Sequence, residues 1–220
     1  MKRSIFLLLL AAACICGCTN TKGILYRGSM FGTMTGPLVM KGDDGNTYHF
    51  SNKMYTDAIP ASGRIVALFD VYSKLDGTEK DYNAELITFN VPLTSEPVIC
   101  KNEEEIAALG DDPIKMEDGA ISGGYLNLLC SVLLHNDFKA EHKISLQLVP
   151  ADNADTLHLV LRHHAGEDII TDDTSESATE YPFYASFPIE DKFPEGKTTV
   201  LEVKWYWDHK WNSEYSNIKR

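Results

Sequence analysis

The 220-residue sequence predicts an all-β protein with two strand-rich regions joined by one short helix. Three observations lead to this prediction. Short apolar segments recur along the chain, and in most of them apolar and polar residues alternate with the period of two that is typical of a β-strand. Turns that contain glycine, asparagine or proline separate these segments. Only residues 102–110 carry the start and stop signals of a helix.

The first strand-rich region has about five predicted strands. Residues 38–41 and 47–50 flank a glycine-containing loop, which has the length of a hairpin loop with a bulge. In residues 64–72 both faces are rather apolar, as in a curled sheet or a small barrel. The other strands are predicted at residues 26–34 and 82–91.

A short helix is predicted between the two regions. Asn102, followed by Glu105 three residues later, is a variant of the capping box, and three consecutive glutamates place negative charge near the positive end of the helix dipole. Ile106 and Leu109 give a narrow apolar stripe, and Gly110 ends the helix. The glutamates are interpreted as a solvated first turn rather than as a cation site.

The second strand-rich region predicts an antiparallel β-sandwich. In residues 143–149 apolar and polar residues alternate strictly, which is the pattern of a sheet with one face in water. About six strands separated by turn-rich loops are typical of two packed sheets. The strands are predicted at residues 114–116, 125–134, 143–149, 156–163, 181–187 and 198–207.

The N-terminal segment predicts export. Lys2 and Arg3 form a basic start, an uninterrupted apolar segment follows at residues 5–13, and small residues and cysteines come next, which is the layout of a secretory signal. The apolar segment is shorter than the roughly 20 residues of a membrane-spanning helix, so a transmembrane anchor is the weaker alternative. A cleaved signal that leaves a free secreted protein is a second alternative.

Cys18 is the predicted lipid attachment site. Ile15 and Gly17 before it resemble the lipobox of bacterial lipoproteins, and the alanines before Cys14 fit that pattern less well. Residues 1–17 are then a lipoprotein signal peptide. Two or three acyl chains on one cysteine exceed what stable anchoring needs, so the membrane is contacted through the N-terminal lipid. The expected location is the cell envelope, with the protein anchored in the outer membrane.

The charge of the chain excludes one class of partner. The formal net charge is −12, and removal of residues 1–17 takes away two basic residues and no acidic one, which gives −14. Nucleic acids and anionic lipid headgroups require a basic surface, so the sequence argues against both as partners.

Cys100 and Cys130 are the cysteines outside the signal region. An exported compartment permits a disulfide between them, whereas the apolar sequence around Cys130 favours a buried thiol, and the sequence leaves both open. His163 and His164 precede an acidic stretch at residues 167–180, but neighbouring strand residues point to opposite faces. The acidic stretch lacks the spacing of a calcium loop and is interpreted as a solvated connection. No metal site and no cofactor are predicted.

No catalytic residue can be assigned from a motif. The sequence has no Gly-x-Ser-x-Gly elbow, no phosphate-binding Gly-x-x-x-x-Gly-Lys loop and no His-Glu-x-x-His motif. Aromatic residues near the C-terminus are the candidates for a ligand or partner surface, because exposed rings stack on sugars and on proteins. They are Trp205, Trp207, Trp211 and Tyr215. Trp205 and Trp207 share one strand face and Tyr206 lies on the other, so core packing accounts for at least one side.

Three segments resemble the NigD-like lipoproteins of Bacteroidetes. They are Lys-Gly-Asp-Asp-Gly-Asn-Thr-Tyr at residues 41–48, Gly-Asp-Asp-Pro-Ile at residues 110–114 and Ile-Ser-Gly-Gly-Tyr-Leu-Asn at residues 121–127. The resemblance covers essentially the whole chain after the signal. It implies an N-terminal OB-like barrel and a C-terminal β-sandwich, and it implies no known activity, since the family name comes from association with a bacteriocin locus.

The chain departs from many surface lipoproteins of that phylum just after the acylated cysteine. Those proteins carry acidic residues there, whereas residues 19–23 are Thr-Asn-Thr-Lys-Gly. The sequence therefore leaves open which face of the membrane carries the protein.

The resemblance and the strand pattern together predict how the chain is divided. The predicted segments are a signal peptide at 1–17, a tether at 18–23, an OB-like five-stranded barrel at 24–99, a linker with the short helix at 100–111 and a β-sandwich at 112–220.

Two functions are compatible with the sequence. The preferred hypothesis is a non-enzymatic envelope lipoprotein that presents its loops to a protein or glycan partner, in an accessory or immunity role linked to bacteriocin loci. The alternative is a carbohydrate-active or metal-dependent hydrolase whose carboxylates are brought together only by the fold.

Overall fold

The first part of the chain forms a closed five-stranded barrel. The computed structural model describes residues 23–51, 58–135, 141–150, 156–168, 170, 178–192 and 198–219. The barrel strands are β1 (Tyr26–Gly36), β2 (Val39–Gly42), β3 (Thr47–Phe50), β4 (Gly63–Lys74) and β5 (Asp81–Asn90). They follow the order β1-β2-β3-β5-β4, and β3 pairs with β5 in parallel while the other neighbours are antiparallel. The predicted OB-like barrel is confirmed.

Alternate residues of β4 fill the barrel. Ile65, Ala67, Phe69 and Val71 are at most 1% exposed. The rings of Phe69 and Tyr48 lie 4.5 Å apart between centroids. Burial of this apolar surface is the main favourable term for the barrel, because each square ångström removed from water contributes about 25 cal/mol.

The second part of the chain consists of two four-stranded sheets. One sheet has the order β6 (Leu93–Thr94), β11 (Ala178–Pro188), β8 (Tyr125–His135) and β7 (Ile114–Ser122). The other has the order β13 (Lys210–Lys219), β12 (Thr198–Trp207), β10 (Thr156–His164) and β9 (Lys143–Val149). The predicted sandwich is confirmed.

Most neighbouring strands of the sandwich are antiparallel, with two parallel pairs. They are β6 with β11 and β10 with β12. β10 and β12 run in the same direction because the chain crosses to the other sheet through β11 before it returns.

One apolar core lies between the two sheets. Alternate residues of β8, from Leu126 to Val132, are at most 4% exposed. They face Leu146, Leu159 and Leu201 of the other sheet, which belong to the same cluster. This packing follows from the period of two that the sequence shows in these strands.

The chain joins the sandwich soon after it leaves the barrel at Asn90. β6 pairs with β11, and Val98 forms two backbone hydrogen bonds of 2.8 Å with Leu146 and Leu148 on β9. The sequence predicts a barrel domain that ends at residue 99. In the structure Leu93, Thr94 and Val98 already pair with strands of the sandwich, because the edges of its sheets offer free backbone donors and acceptors.

The predicted helix is present as α1 (Glu103–Leu109). Asn102 Oδ1 accepts a hydrogen bond of 2.8 Å from the Glu105 backbone N–H, and Glu105 Oε2 accepts one of 2.8 Å from the Lys101 N–H. The first is the N-cap bond of a capping box, and the second reaches one residue further back than the N-cap N–H that a complete capping box would use. The helix contacts β9 and β10.

β7 and β13 show the largest departures from the predicted strands. The sequence predicts a strand at residues 114–116, whereas β7 continues to Ser122. β13 is not predicted at all. A two-residue turn, Asp208 and His209, connects it to β12, and both residues have positive φ angles of 54° and 57°. Such angles are typical of a type I′ hairpin turn, whose twist matches that of the strands.

A buried ion pair joins the barrel to the sandwich. Arg64, at the start of β4, donates two hydrogen bonds of 2.6 and 2.8 Å to the carboxylate of Asp43, which lies between β2 and β3. Arg64 also donates to Ser186 Oγ at 3.1 Å and to Asn127 Oδ1 at 3.0 Å, both in the sandwich. Ser122 Oγ donates to Asp43 Oδ2 at 2.7 Å. Side chains of the barrel and of the sandwich therefore satisfy each other's buried hydrogen-bonding groups in one network.

This network uses the segments that resemble the NigD-like proteins. Asp43 belongs to the first segment, and Gly123 and Tyr125 belong to the third. Gly123 has a φ of 57°, and a Cβ atom there would lie 2.3 Å from Asp43 Oδ1. The Tyr125 ring lies 4.2 Å from the Arg64 guanidinium, within the range of a cation–π contact. The third segment thus packs directly on the barrel.

Candidate partner-binding face

The outer face of the β13-β12-β10-β9 sheet brings aromatic and charged side chains together. Leu201 and Val203 of β12 are buried in the core, so Glu202, Lys204 and Tyr206, which alternate with the core-facing residues, point outward. The strand register places Trp211 opposite Tyr206. It also places Tyr215 and His158 beside Glu202. We call these residues and two basic neighbours the outer-face cluster, which consists of His158, Arg162, Glu202, Lys204, Tyr206, Trp211 and Tyr215.

Glu202 is the buried carboxylate of the cluster. It is 4% exposed. Its Oε1 accepts a hydrogen bond of 2.5 Å from the Tyr215 hydroxyl, and its Oε2 lies 2.5 Å from His158 Nδ1. Burial raises the pKa of Glu202, but the hydrogen bonds from Tyr215 and His158 and the nearby charge of Lys204 outweigh it, so the pKa lies below the usual value. Glu202 is therefore ionised at neutral pH.

Two aromatic side chains of the cluster reach the solvent. Trp211 is 47% exposed and Tyr215 is 55% exposed. The Trp211 ring lies 5.5 Å from the Tyr206 ring and 5.3 Å from the Arg162 guanidinium. These contacts hold Trp211 in place, so its exposed ring is available to a partner with little loss of side-chain freedom.

The part of this face that β9 and β10 form is less exposed. Its Gln147, Val160 and Arg162 are at most 9% exposed, and α1 contacts both strands. Arg162 marks the border, because its Nε donates to Gln147 Oε1 at 2.9 Å and its guanidinium pairs with Asp111 just after the helix. The accessible part of the outer face is therefore the part formed by β12 and β13.

The structure separates the four aromatic residues that the sequence singles out. Trp211 and Tyr215 lie together on the outer face. Trp205 packs partly buried against the sandwich core, and the Trp207 ring lies 5.8 Å from Lys115 Nζ of the other sheet. The reason is strand alternation, because Trp205 and Trp207 lie on the same face of β12 as the core residues Leu201 and Val203.

Four members of the cluster were not candidate site residues in the sequence, namely His158, Arg162, Glu202 and Lys204. His158 and Arg162 lie on β10, which is distant in sequence from β12 and becomes its neighbour only through the parallel pairing. The one local signal is Glu202, a carboxylate inside an apolar strand.

The predicted lipid attachment site cannot be placed by the structure. Cys18 and the alternative Cys14 lie outside the described residues. Among the residues that the structure describes, no helix is long and apolar enough to cross a membrane. Lipid attachment therefore stays a prediction.

The two remaining cysteines are free thiols. Cys130 lies in the sandwich core and Cys100 is half-buried before α1. Burial raises the pKa of the Cys130 thiol to about 12. Of the two states that the sequence leaves open, the structure contains the reduced one.

Three histidines and one aspartate form a row of hydrogen-bonded side chains at one end of the sandwich. His163 Nδ1 donates to the Pro113 carbonyl at 2.9 Å, and its Nε2 lies 2.8 Å from His142 Nδ1. His142 Nε2 lies 3.1 Å from Asp168 Oδ2, and His135 Nδ1 lies 2.5 Å from Asp168 Oδ1. Burial lowers the pKa of His163. His163 is therefore neutral at pH 7, and its Nε2 accepts from His142 Nδ1.

The histidine pair of the sequence is divided between two faces. His163 is buried in the row just described, whereas His164 Nδ1 accepts a hydrogen bond of 3.0 Å from the Gly166 N–H. Within the described ranges, no three histidine, cysteine, aspartate or glutamate side chains are placed to hold a metal ion. Most of the acidic stretch after Asp168 lies outside those ranges.

Sequence comparison assigns the chain to a family. The model of the NigD-like C-terminal beta sandwich domain matches residues 96–217, which is more than half of the chain. The chain belongs to the NigD-like family. No curated protein matches this NigD-like sequence.

Solved structures share the fold of this NigD-like protein. A protein of unknown function from Bacteroides vulgatus is 17% identical, with a TM-score of 0.67, over 88% of this chain and 92% of its own. A NigD-like immunity protein from Bacteroides caccae is 16% identical, with a TM-score of 0.59, over 86% and 91%. A candidate lipoprotein from Bacteroides fragilis is 12% identical, with a TM-score of 0.62, over 88% and 97%. At these identities the likeness shows the fold alone.

Proposed function

We propose that this NigD-like protein is a non-catalytic, lipid-anchored protein of the cell envelope that binds a protein or glycan partner through the outer-face cluster. The lipid is attached at Cys18 and the outer membrane is its membrane. The biological setting is an accessory or immunity role linked to bacteriocin loci. The NigD-like immunity protein and the candidate lipoprotein among the structural neighbours support this setting.

The main support for this proposal is the exposed aromatic pair Trp211 and Tyr215 on the outer face of the sheet. Trp211 and Tyr215 present large apolar rings at low entropic cost, because hydrogen bonds and ring contacts already fix them. Lys204, 45% exposed in its side chain, and the ionised Glu202 add polar groups beside the rings. Aromatic anchors beside polar groups are typical of the energetically important part of a binding surface.

Glu202 is not suited to be the acid of a glycosidase. A glycosidase needs one carboxyl group with a raised pKa to act as the acid, whereas the pKa of Glu202 is lowered. A cleft of about 730 Å³ lies elsewhere, at the side of the sandwich near Leu93, Val132 and Phe183. None of the described residues that line it is a carboxylic acid.

The test of binding compares two exposed aromatic residues. Full-length protein with Trp211→Ala is compared with Tyr181→Ala, because Tyr181 is 57% exposed but lies on the other sheet. Affinity is measured against purified envelope polysaccharides. It is also measured against the envelope proteins that cross-linking in cells shows to be neighbours of the wild type. We expect Trp211→Ala to lose about tenfold or more in affinity, as for an aromatic hot spot, and Tyr181→Ala to bind normally. Equal binding by both variants would remove the outer-face cluster from the proposal.

The test of anchoring is palmitate labelling in the native membrane. We expect labelling of the wild type and of Cys14→Ala and none of Cys18→Ala. Protease treatment of intact cells then distinguishes the surface from the periplasmic face. Absence of label from the wild type would contradict the lipid anchor.

A further inference from the structure

The edges of the sandwich sheets differ in how they are protected against pairing with another strand. At β9, Val98 occupies the edge with two backbone hydrogen bonds. At β11, β6 covers part of the edge, and Pro182 has no backbone N–H to offer. β7 is interrupted by a register shift between Met116 and Asp118. Covering segments, proline and bulges are the devices by which proteins prevent association through sheet edges.

β13 has none of these devices among the described residues. It pairs with β12 over ten consecutive residues without a register shift, and it contains no proline or glycine. Its other edge faces no strand in the part of the chain that the structure describes. Its two lysines, Lys210 and Lys219, stand at its ends, and Trp211 and Tyr215 between them are exposed. A long, regular, unpaired edge is a template for another strand.

We propose that β13 pairs with β13 of a second copy of this chain in antiparallel orientation. The two four-stranded sheets then form one continuous eight-stranded sheet. A two-fold axis perpendicular to the sheet keeps both outer faces on the same side, and it requires one residue of β13 to face its own equivalent. Ser213 is that residue.

The sequence of β13 is complementary to itself in this register. With Ser213 at the axis, Trp211 faces Tyr215 of the second copy, and Tyr215 faces its Trp211. Aromatic pairs directly across two strands are stabilising. Lys210 faces Ser216 of the second copy and Glu214 faces its Asn212, so no like charges oppose each other. Because β13 is complementary to itself, we propose a second copy of this chain, rather than a strand of another protein, as the partner of this edge.

The dimer goes beyond the proposed function. It places the outer-face clusters of two copies side by side, with four aromatic rings at the seam. Two copies held in one membrane would also meet more often than in free solution, because a shared anchor raises their effective concentration. Binding of a partner by a single copy does not depend on the dimer, so the two proposals can fail separately.

The test is a disulfide across the two-fold axis. Full-length protein with Ser213→Cys is oxidised in its native membrane with copper phenanthroline and separated on a non-reducing gel. Equivalent residues at the axis have Cα atoms about 4.5–5.5 Å apart, which a disulfide can span. Lys204→Cys is the matched control, since Lys204 pairs with Ser213 on the same face but lies one strand further from the axis. Its equivalents would be about 14 Å apart, too far for a disulfide.

We expect a reducible dimer with Ser213→Cys at roughly ten times the amount seen with Lys204→Cys or the wild type, whose own cysteines set the background. Sedimentation of the unoxidised wild type in mild detergent should give twice the mass of one chain. Equal cross-linking of both variants, or a monomer mass for the wild type, would overturn the proposal.

Discussion

Gly123 determines how closely the turn between β7 and β8 approaches the barrel. Its φ is 57°, and a Cβ atom added to it would lie 2.3 Å from Asp43 Oδ1, which leaves no room for a side chain. Gly45 has a φ of 82° but no atom within 4 Å of such a Cβ. Alanine at either position incurs the cost of the left-handed conformation, about 1–2 kcal/mol, and only alanine at position 123 must also displace a buried carboxylate.

We therefore predict that Gly123→Ala lowers the free energy of unfolding by about 1–3 kcal/mol more than Gly45→Ala does. Urea unfolding of the two variants measures this difference. Equal losses would show that the turn can move away from Asp43 without cost.

The buried His163 predicts that acid weakens the fold. Its pKa lies below the usual value of about 6.5, so below that pH the unfolded chain binds more protons than the folded chain, and stability falls as the pH falls. Asp168 and Glu202 act in the same direction at lower pH. Their pKa values are lowered in the folded state, so their stabilising effect is present above about pH 4 and is lost as the pH falls through the folded values.

Unfolding free energies at pH 7.5 and pH 5.5 test the contribution of His163. The wild type should lose up to about 1.4 kcal/mol through this residue, and His163→Gln should show a smaller change with pH although it is less stable at pH 7.5. If His163→Gln shows the same pH dependence as the wild type, the loss of stability in acid comes from other groups.

At the scale of elements, α1 was predicted well because its signals are local. Asn102, Glu105 and Gly110 stand within nine residues, and the Asn102 side chain accepts from the Glu105 N–H as the sequence predicts. Gly110 has an additional role that no local pattern shows. A Cβ there would lie 2.3 Å from the His163 carbonyl oxygen on β10, so glycine also permits the close approach of the two segments.

The N-cap of α1 leads to a prediction about stability. Asn102→Ala should lower the free energy of unfolding by about 1 kcal/mol, because the Glu105 N–H loses its acceptor. Asn102→Asp keeps an acceptor at the same position and should be close to the wild type. Thermal unfolding of the three proteins is the measurement, and an unchanged Asn102→Ala would mean that water replaces the cap.

β13 was not predicted because its own pattern is weak. Its apolar residues, Trp211, Tyr215 and Ile218, do not follow a period of two, and its turn of Asp208 and His209 lacks the glycine of common hairpin signals. The strand exists because β12 offers it a complete row of backbone partners. His158 and Arg162 of the outer-face cluster could not be predicted for a similar reason, since the parallel pairing of β10 with β12 is a property of the assembled sheet.

At the scale of the whole molecule, the Arg64–Asp43 pair couples the barrel to the sandwich. Both side chains are at most 7% exposed. Loss of Asp43 leaves a buried guanidinium without its charge partner, which typically costs about 3–5 kcal/mol. Because the same pair bonds residues of both parts, its loss should also separate their unfolding.

Two spectroscopic probes distinguish coupled from separate unfolding. All three tryptophans lie in β12 and β13, so their fluorescence reports on the sandwich, whereas far-ultraviolet circular dichroism reports on both parts. The two curves should coincide in the wild type and in the exposed control Asp76→Ala. They should diverge in Asp43→Ala, and coincident curves there would show that other contacts are sufficient to couple the two parts.

Residue alternation, local caps and composition were sufficient to predict the all-β class, the two strand-rich parts, the short helix and the acidic character of the chain. No local pattern shows that Asp43 and Arg64 meet Ser122, Asn127 and Ser186, or that Trp211 and Tyr215 lie on a different face from Trp205 and Trp207. The physical reason is that these relations depend on which strands become neighbours. That choice is made by the packing of the whole sheet rather than by any one segment.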